Sequence, residues 1–277
     1  MEIRTMINSA FSGLSGNHFG VIGRPDLPMW EAPLIGVAAG DDPYYDFLKE
    51  HIGPFHWTPA EAFAKKYAPV PAKNLRVISM VFPQGEETVA EQKKQNTFPA
   101  DYWLVSRGEW EPLMKEFGQA LEAGFAQEGI QAVSIDLLPE KLGQTSETLG
   151  LASKWSHRHS AYAAGLGTFG LSDGFISRRG KAVRITSLVV AADIAVSLRE
   201  AEGPYDWCLY YRKGICGACI RRCPARAIGE KGHDKQRCKE YEDKAEREFW
   251  PEHIPHGEYI FGCGLCQVKV PCDRQKP

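Results

Sequence analysis

The segment "CGACIRRCPARAIG", residues 216–229, is the most informative stretch of this 277-residue chain. It spaces three cysteines as Cys-x2-Cys-x3-Cys, with Pro224 directly after the third, Cys223. A tight Cys-x2-Cys turn lets two neighbouring thiolates bind one polynuclear metal centre, whereas a cysteine on the next helical turn points towards a different centre. The spacing therefore predicts a module with more than one metal centre.

The remaining cysteines support such a module. All eight lie between Cys208 and Cys272, and the first 207 residues contain none. The segment "GCGLCQVKVPC", residues 262–272, supplies three of them, and Cys238 lies between the two groups. Eight thiolates are the number that two [4Fe–4S] clusters require at four ligands each. The chain thus divides into a cysteine-free body and a cysteine-rich C-terminal module.

The spacing also predicts which cysteines act together. Cys-x2-Cys-x3-Cys-Pro is the C-terminal part of the bacterial ferredoxin run, in which the last cysteine binds the other cluster. A crossing arrangement of this kind gives two sets of four, which we call the first and the second quartet. The first quartet comprises Cys208, Cys216, Cys219 and Cys272. The second quartet comprises Cys223, Cys238, Cys263 and Cys266.

Three other uses of the cysteines compete with iron–sulfur ligation. Disulfides are disfavoured because the chain has no secretion signal. Two structural zinc sites remain open, since Cys-x2-Cys pairs also bind zinc. A regulatory thiol switch would not need eight cysteines within 65 residues. The proline after Cys223 and the "ARAI" that follows favour the clusters.

Composition indicates a globular protein without a nucleic-acid or membrane function. The chain is 43% hydrophobic and 25% charged, with a formal net charge of −2. A net charge of this sign gives no basic surplus for binding nucleic acid, so a nucleic-acid partner is not expected. The N-terminus has neither a basic and apolar leader nor a twin arginine, and no apolar run is long enough to span a membrane. We therefore expect a cytoplasmic protein.

The cysteine-free body alternates helical and extended patterns, which predicts an α+β layered domain. Its apolar residues recur at helical spacing in one segment and form β-branched runs in three others. We expect a helix over residues 109–129 and strands over residues 74–83, 130–140 and 181–194. The predicted domains are residues 1–203 and residues 204–277.

The segment "YAAGLGTFG", residues 162–170, contains the Gly-x-Gly-x-x-Gly spelling of a dinucleotide-binding turn. That turn requires a strand before the glycines and a helix after them. Here the preceding residues suit a helix and the following ones a hairpin or loop, so nucleotide binding is not favoured. Gly165, Gly167 and Gly170 instead predict a tight turn or a close approach of the backbone to a bulky ligand.

Five segments in a fixed order resemble the epoxyqueuosine reductase family and its relatives, the reductive dehalogenases. They are "AAGLGTFG", "GKAVRITSLV", "CGACIRRCPARAI", "DKQRC" and "GCGLCQ". The resemblance is most specific over residues 160–272. It implies a nitroreductase-like α+β domain that binds cobalamin, followed by a ferredoxin-like module with two [4Fe–4S] clusters. It further implies that Gly165, Gly167 and Gly170 help shape the cobalamin pocket.

The resemblance also implies a mode of action. Electrons from a ferredoxin or flavodoxin would pass through the clusters to cobalamin, where a small organic substrate is reduced. Family members that act on tRNA carry a helical-repeat extension after the last cysteine motif; this chain ends five residues after Cys272, so a tRNA substrate is not expected. Two alternatives stay open: an electron-transfer protein without cobalamin, and a reductase with flavin in the same fold.

Candidate proton donors and cofactor contacts follow from the same comparison. Family epoxyqueuosine reductases place a catalytic Asp in a V-D-x-x-P segment, and "SIDLLPE" supplies Asp136 here. Tyr102 is a second candidate acid, with a packed aromatic as its alternative. Arg184 is a candidate contact to cobalamin's phosphate or amide groups, as is Lys181, with a surface charge as the alternative for both. His157 and His159 were further acid candidates, but their i, i+2 spacing puts them on different sides of a helix.

Overall fold

The structure, a computed structural model, describes residues 2–139, 143–255 and 262–277. A four-stranded antiparallel sheet lies at its centre, with the strand order β3-β4-β10-β5. The described strands are β1 His18–Phe19, β2 Arg24–Pro28, β3 Leu34–Ala39, β4 Arg76–Pro83, β5 Ala132–Ser134, β6 Gln144–Ser146, β7 Gly150–Ala152, β8 Gly167–Phe169, β9 Phe175–Ser177, β10 Val183–Val190, β11 Ile228–Gly229 and β12 Gly232–His233.

Helices cover the sheet and form most of the C-terminal module. They are α1 Ile3–Ser12, α2 Tyr44–His51, α3 Pro59–Phe63, α4 Glu86–Lys94, α5 Asp101–Gly108, α6 Trp110–Gln127, α7 His157–Ala163, α8 Leu209–Lys213, α9 Ala218–Arg222 and α10 Lys235–Phe249. Short 3₁₀ turns include Ile135–Leu137 and Leu265–Gln267. The α+β fold class expected from the sequence is confirmed.

Both faces of the central sheet are buried, because β4 and β10 carry apolar side chains that alternate between two cores. Ile78 and Leu188 face one core, built with α1 and α6, while Val77 and Val189 face the other, built with α2 and α3. A strand buried on both sides reads as a continuous apolar run, which is why "RVISMVFP" is recognisable in the sequence. The sheet is thus the rigid element on which the site residues stand.

The predicted elements of the body are present with small differences in their ends. The helix expected over residues 109–129 is α6, and the strands expected over residues 74–83 and 181–194 are β4 and β10. The strand expected over residues 130–140 is shorter: β5 ends at Ser134, and a 3₁₀ turn follows. Residue 140 lies outside the described residues.

The glycine motif has the opposite context from a dinucleotide-binding turn. Helix α7 precedes the glycines, and the strand pair β8–β9 follows them as a hairpin. The backbone is left-handed at Gly165, with φ of +72°, and its backbone N–H bonds to the carbonyl of Tyr162 at 3.0 Å. This glycine therefore closes a helix, as glycines commonly do at that position.

The tail of the cysteine-rich module attaches directly to the start of β10. The backbone N–H of Lys181 donates to the carbonyl of Cys272 at 2.8 Å, and that of Ala182 to the carbonyl of Asp273 at 3.1 Å. Gly180 permits this approach, because a Cβ atom there would lie 2.3 Å from the Asp273 carbonyl oxygen. The predicted boundary between residues 203 and 204 stays a prediction. Within the described ranges, no helix is long and apolar enough to cross a bilayer.

Candidate functional site

The structure brings the first quartet together around one small cavity, the first cavity, of about 20 Å³. Two of its cysteines belong to short helices: Cys208 directly precedes α8, and Cys219 lies within α9. Cys216 comes from the loop between these helices, and Cys272 comes from the tail. Apolar side chains complete the wall, among them Leu171, Ile176, Trp207 and Val270.

The second quartet lines a larger cavity of about 380 Å³, the second cavity. Cys223 directly follows α9, so one short helix contributes a cysteine to each cavity. Cys238 lies on α10, whose first turn is capped by Asp234, with the backbone N–H of Arg237 donating to the Asp234 carboxylate at 2.9 Å. Cys263 and Cys266 flank the start of the last 3₁₀ turn.

The thiols surround each cavity rather than meeting at a point. Within the residues described, no group of three or more His, Cys, Asp or Glu side chains converges as a single metal ion requires. Zinc binds four sulfurs at about 2.3 Å from one centre, whereas an iron–sulfur cube binds sulfurs spread around its corners. Thiols spread around a cavity are the arrangement that an iron–sulfur cluster requires.

Burial disfavours the deprotonated form of these cysteines unless a metal is bound. Desolvation raises the pKa of Cys238 to about 12 and that of Cys272 to about 11. For Cys272 the nearby Lys181 ammonium opposes part of this effect. Thiolates in such places require a cation to stabilise their charge, and iron supplies it.

Lys181 lies between the two quartets. It is 2% exposed, and its Nζ donates to the Ser172 hydroxyl at 2.6 Å. Desolvation lowers its pKa, but cysteines of both quartets raise it, Cys266 and Cys272 most strongly, and the net change is upward. The ammonium is thus a buried positive charge close to both sets of sulfurs.

A third cavity, of about 490 Å³, lies beside the second one. The two cavities have five lining residues in common: Arg158, Gly174, Glu242, Gly264 and Gln267. Aromatic walls come from Trp103, Trp110, Trp155 and Phe175. Charged side chains are unusually dense around it: Arg107, Glu111, Asp136, Arg158, Lys181, Arg184 and Glu242. Such a mixture of flat apolar walls and a few charges is typical of small-molecule sites.

Asp136 lines the third cavity and is held by the sheet. It lies two residues beyond Ser134, the last residue of β5, which pairs with Leu188 of β10. Continuation of this register places Asp136 opposite Thr186, whose hydroxyl donates a hydrogen bond to the Asp136 carboxylate. Its other oxygen lies 3.5 Å from Nε2 of His157. The side chain is 7% exposed. Asp136 is therefore a buried acid, fixed in orientation, at the cavity wall.

His157 also lines the third cavity, and both of its ring nitrogens are engaged. Nδ1 lies 2.8 Å from the Ser187 hydroxyl, which also accepts from Nε1 of Trp155 at 2.8 Å. His159 lies on another side of α7, as its spacing predicts, and packs against Phe169 with ring centroids 4.7 Å apart. Desolvation lowers its pKa well below the ordinary value, so this half-buried ring is neutral.

Tyr102 does not line the third cavity. Its hydroxyl accepts a hydrogen bond from Arg24 at 3.2 Å, and its ring packs edge-on against Phe19. Successive residues of an α-helix are rotated by about 100°. The cavity-facing residues of α5 are Trp103 and Arg107, so the third cavity gives no support to Tyr102 as the acid, which stays a prediction.

The three glycines of the motif do not line the third cavity. A Cβ at Gly165 would lie 2.4 Å from the carbonyl oxygen of Leu198, and one at Gly167 would lie 2.2 Å from that of Ile176. These two glycines allow close packing of the backbone and do not line the third cavity, whereas Gly170 lines the first cavity. The glycine that borders the second and third cavities is Gly174.

Arg184 lines the third cavity from β10, in keeping with its selection as a site residue. Arg107 and Glu242, on α5 and α10, line it as well and were missed in the sequence analysis. Neither belongs to a motif, since α5 and α10 are far apart in sequence and meet only in the folded chain. A charge on an otherwise apolar helix face was the one available signal for Arg107.

Residues 214–272 match the family model of a 4Fe-4S double cluster binding domain. Solved structures similar to this chain include the catabolic reductive dehalogenase NpRdhA in complex with 3-bromo-4-hydroxybenzoic acid, with a TM-score of 0.51 and 16% identity. They also include epoxyqueuosine reductase from Bacillus subtilis, with a TM-score of 0.50 and 17% identity. The chain has the fold of these reductases.

The similarity covers 88% of this chain in both cases, but only 30% of the dehalogenase and 62% of the epoxyqueuosine reductase. The chain therefore spans less than two thirds of the length of either protein. No curated protein sequence matches it. The resemblance inferred from the five sequence segments is confirmed for the fold and for the double-cluster domain.

Proposed function

We propose that this chain is an iron–sulfur oxidoreductase that reduces a small organic substrate in the third cavity, with cobalamin as its cofactor. The observation that carries the proposal is the shared wall between the second and third cavities. Glu242 and Gly264 line both, so the site beside the second quartet adjoins the site where Asp136 lies. A redox module in contact with a polar, partly aromatic cavity is the arrangement that a reductase needs.

The order of the three cavities gives electrons a direction. The first cavity is bordered by α8 and the loop that follows it, where Tyr211 and Ile215 are 45% and 70% exposed. The second quartet is linked to the first through α9, which contains Cys219 and is directly followed by Cys223, and the second cavity shares five lining residues with the third. With both clusters bound, electrons would enter near the first quartet, pass to the second and reach the third cavity. The Lys181 ammonium stabilises added negative charge along this path.

The lining of the third cavity fits cobalamin. Flat indole walls suit a planar macrocycle, and Arg158 and Gln267 supply donors for its amide side chains. The two ring nitrogens of His157 face Ser187 and Asp136, so this ring would position the acid beside the cofactor. When bound, the clusters supply one-electron transfer and cobalamin supplies a cobalt centre that reduces an organic substrate.

The residues of the chain have distinct tasks in this scheme. Asp136 donates a proton to the reduced substrate, and Thr186 and His157 keep its carboxyl group oriented. The indoles of Trp103 and Trp155 exclude water from one side of the cavity. Arg184 binds negative charge on the cofactor or the substrate.

A ferredoxin or flavodoxin is the proposed electron donor. Residues 205–231 contain six basic and two acidic residues, in a chain whose formal net charge is −2. Exposed members of this basic face are Arg212, Lys213, Arg221 and Arg226. An acidic carrier that docks there would be held by complementary charge next to the first quartet. The cytoplasmic location expected from the sequence stays a prediction.

The proposal is tested on chain purified without oxygen. We expect about eight irons per chain and the electron paramagnetic resonance signals of two reduced [4Fe–4S] clusters. Titration with cobalamin should give saturable binding with a change in the corrinoid absorption bands. Ser153→Trp, which places an indole in the third cavity, should abolish that binding, and Ser9→Trp, on the exposed side of α1, should not.

Other results have definite meanings. Saturable flavin binding in place of cobalamin would assign the cavity to flavin. Clusters without binding of either cofactor would leave an electron-transfer protein, and the reductase proposal would be wrong. Zinc in place of iron would remove the redox function altogether.

A further inference from the structure

Two guanidinium groups face the third cavity and make no hydrogen bond or ion pair with another described residue. Arg107 projects from α5 and Arg184 from β10, and both line the cavity. Among the residues that the structure describes, no hydrogen bond, ion pair or aromatic ring reaches either group. An arginine presents five donors, and both residues are half-buried, so these donors are open to a ligand that enters the cavity.

The other charged groups of this cavity are engaged. Asp136 is held by Thr186, Lys181 by Ser172, and Arg158 donates to the carbonyl of Asp173 at 2.6 Å. Glu242 accepts from the backbone N–H of Cys263 at 3.1 Å. Glu111 also has a partner. Arg107 and Arg184 are therefore the charges in the cavity that remain for a ligand.

The two groups also repel each other. Desolvation lowers the pKa of Arg184 well below its ordinary value and the nearby Arg107 lowers it further, while Glu111 and Glu242 oppose part of this shift. Desolvation lowers the pKa of Arg107 as well, again with Glu111 and Glu242 acting in the opposite direction. Like charges in a partly dry recess are unfavourable until an anion is bound between them. Planar oxyanions suit this role, because guanidinium groups bind them through paired hydrogen bonds.

We infer that Arg107 and Arg184 bind the carboxylate of a small organic acid, which is the class of substrate that the third cavity takes. This inference rests on the proposed function for its assignment of the cavity as the site of reduction. The apolar part of the acid lies against the indoles of Trp103 and Trp110 and extends towards Asp136. A carboxylate anchor thus leaves the rest of the molecule within reach of the proton donor.

The same oxyanion chemistry has a second source, the phosphate of cobalamin, and the experiment separates the two. Cluster-loaded chain without cobalamin is titrated calorimetrically with benzoate, with benzamide as its neutral counterpart, and separately with cobalamin. We expect saturable benzoate binding and binding of benzamide that is weaker by about tenfold or more, since charge-assisted hydrogen bonds are lost. This comparison needs no variant, so it does not depend on the folding of one.

Variants then locate the anion. Arg107→Met and Arg184→Met should each weaken benzoate binding about tenfold or more and leave cobalamin binding within about twofold. Arg178→Met, on an exposed ion pair with Glu200, is the matched control and should change neither. Cluster absorption and circular dichroism establish that each variant is folded.

Three outcomes overturn the inference. Equal binding of benzoate and benzamide would exclude a carboxylate anchor. Loss of cobalamin binding with unchanged benzoate binding in the arginine variants would assign the pair to the cofactor phosphate. Absence of benzoate binding while cobalamin binds would end the substrate inference and leave the proposed function standing, whereas absence of cobalamin binding would count against the proposed function itself.

Discussion

At the scale of single residues, the central feature is one carboxyl group fixed at the wall of a cavity. Asp136 owes its position to antiparallel register: two residues beyond Ser134, it lies opposite Thr186 on β10. The strand end is therefore what turns an ordinary V-D-x-x-P-like segment into an oriented acid. Its neighbour His157 completes the arrangement from α7.

Replacement of this acid should reduce turnover without loss of the clusters. We expect Asp136→Asn to lower kcat by about 10²–10⁴-fold with little change in KM, because the amide keeps the shape but is no acid. The measurement is oxidation of reduced methyl viologen with an organic acid substrate. Tyr102→Phe is the control and should retain activity, since Tyr102 lies outside the cavity. Equal losses in both variants would contradict the assignment.

A second residue-scale feature is a histidine buried without hydrogen bonds. His56 is 1% exposed, neither ring nitrogen has a partner within the described part of the chain, and its ring lies parallel to Trp155. Burial, with a smaller contribution from Lys49, lowers its pKa to about 4, while the backbone of Trp57 and the carboxylate of Glu61 act in the opposite direction. The folded chain therefore keeps this ring neutral where the unfolded chain protonates it.

This difference predicts a loss of stability in acid. The unfolded histidine titrates near 6.5 and the folded one near 4, so the unfolded state binds more protons between these values. Stability from this residue is complete above pH 6.5 and falls as the pH drops towards 4, by about 1.4 kcal/mol per unit and about 3 kcal/mol in all. Urea unfolding at pH 7 and pH 5 measures it.

His56→Phe should remove this part of the pH dependence, because phenylalanine fills a similar volume and does not titrate. His51→Gln, at an exposed histidine, serves as the control and should leave the difference between the two pH values unchanged. A pH dependence that persists in His56→Phe would mean that other groups cause it.

At the scale of elements, α9 is the shortest link between the two quartets. It spans five residues, and Cys219 within it and Cys223 just after it line different cavities. One turn of helix thus divides its cysteines between two sites, because residues four apart are displaced by about one helical turn along the axis.

Serine substitutions on this helix should each remove one site. Cys219→Ser should reduce the iron content from about eight to about four and eliminate one set of resonance signals; Cys223→Ser should eliminate the other set. Iron analysis and electron paramagnetic resonance measure both effects. Identical spectra for the two variants would mean that the cysteines share one site, and the division into quartets would be wrong.

The elements also explain what the sequence could and could not predict. The cysteine grouping was accessible because loop spacing limits which thiols reach one centre, and the sheet was accessible because β4 and β10 are apolar throughout. The position of Tyr102 outside the third cavity left no sequence signal, because the direction in which a side chain leaves a helix depends on packing, which places Arg107 at the cavity instead. No sequence pattern indicates that Glu242 lines the second and third cavities, since only the tertiary fold brings α10 to them.

At the scale of the whole molecule, charge is distributed unevenly. The basic face around α8 and α9 lies next to the first quartet, although the chain as a whole is slightly acidic. An acidic electron carrier would therefore be attracted to one side of the protein. This attraction acts on the rate of encounter and weakens with salt.

Reversal of charge on this face should slow reduction of the clusters. We expect the double variant Arg212→Glu with Lys213→Glu to lower the second-order rate constant with a reduced acidic flavodoxin by about tenfold or more at low salt, with a smaller effect at high salt. Stopped-flow absorption of the clusters measures the rate. Lys115→Glu, an exposed position on α6, is the control. Equal effects of the two changes would place docking elsewhere.

The way each quartet is collected along the chain has a consequence for biosynthesis. During synthesis, the first quartet is incomplete until Cys272 has been added. The second quartet is incomplete until Cys263 and Cys266 have been added. A ribosome-bound chain therefore lacks ligands for both sites until almost all of the module has been translated. Iron delivery in the cell follows translation, and a nascent body can form its sheet well before any iron arrives.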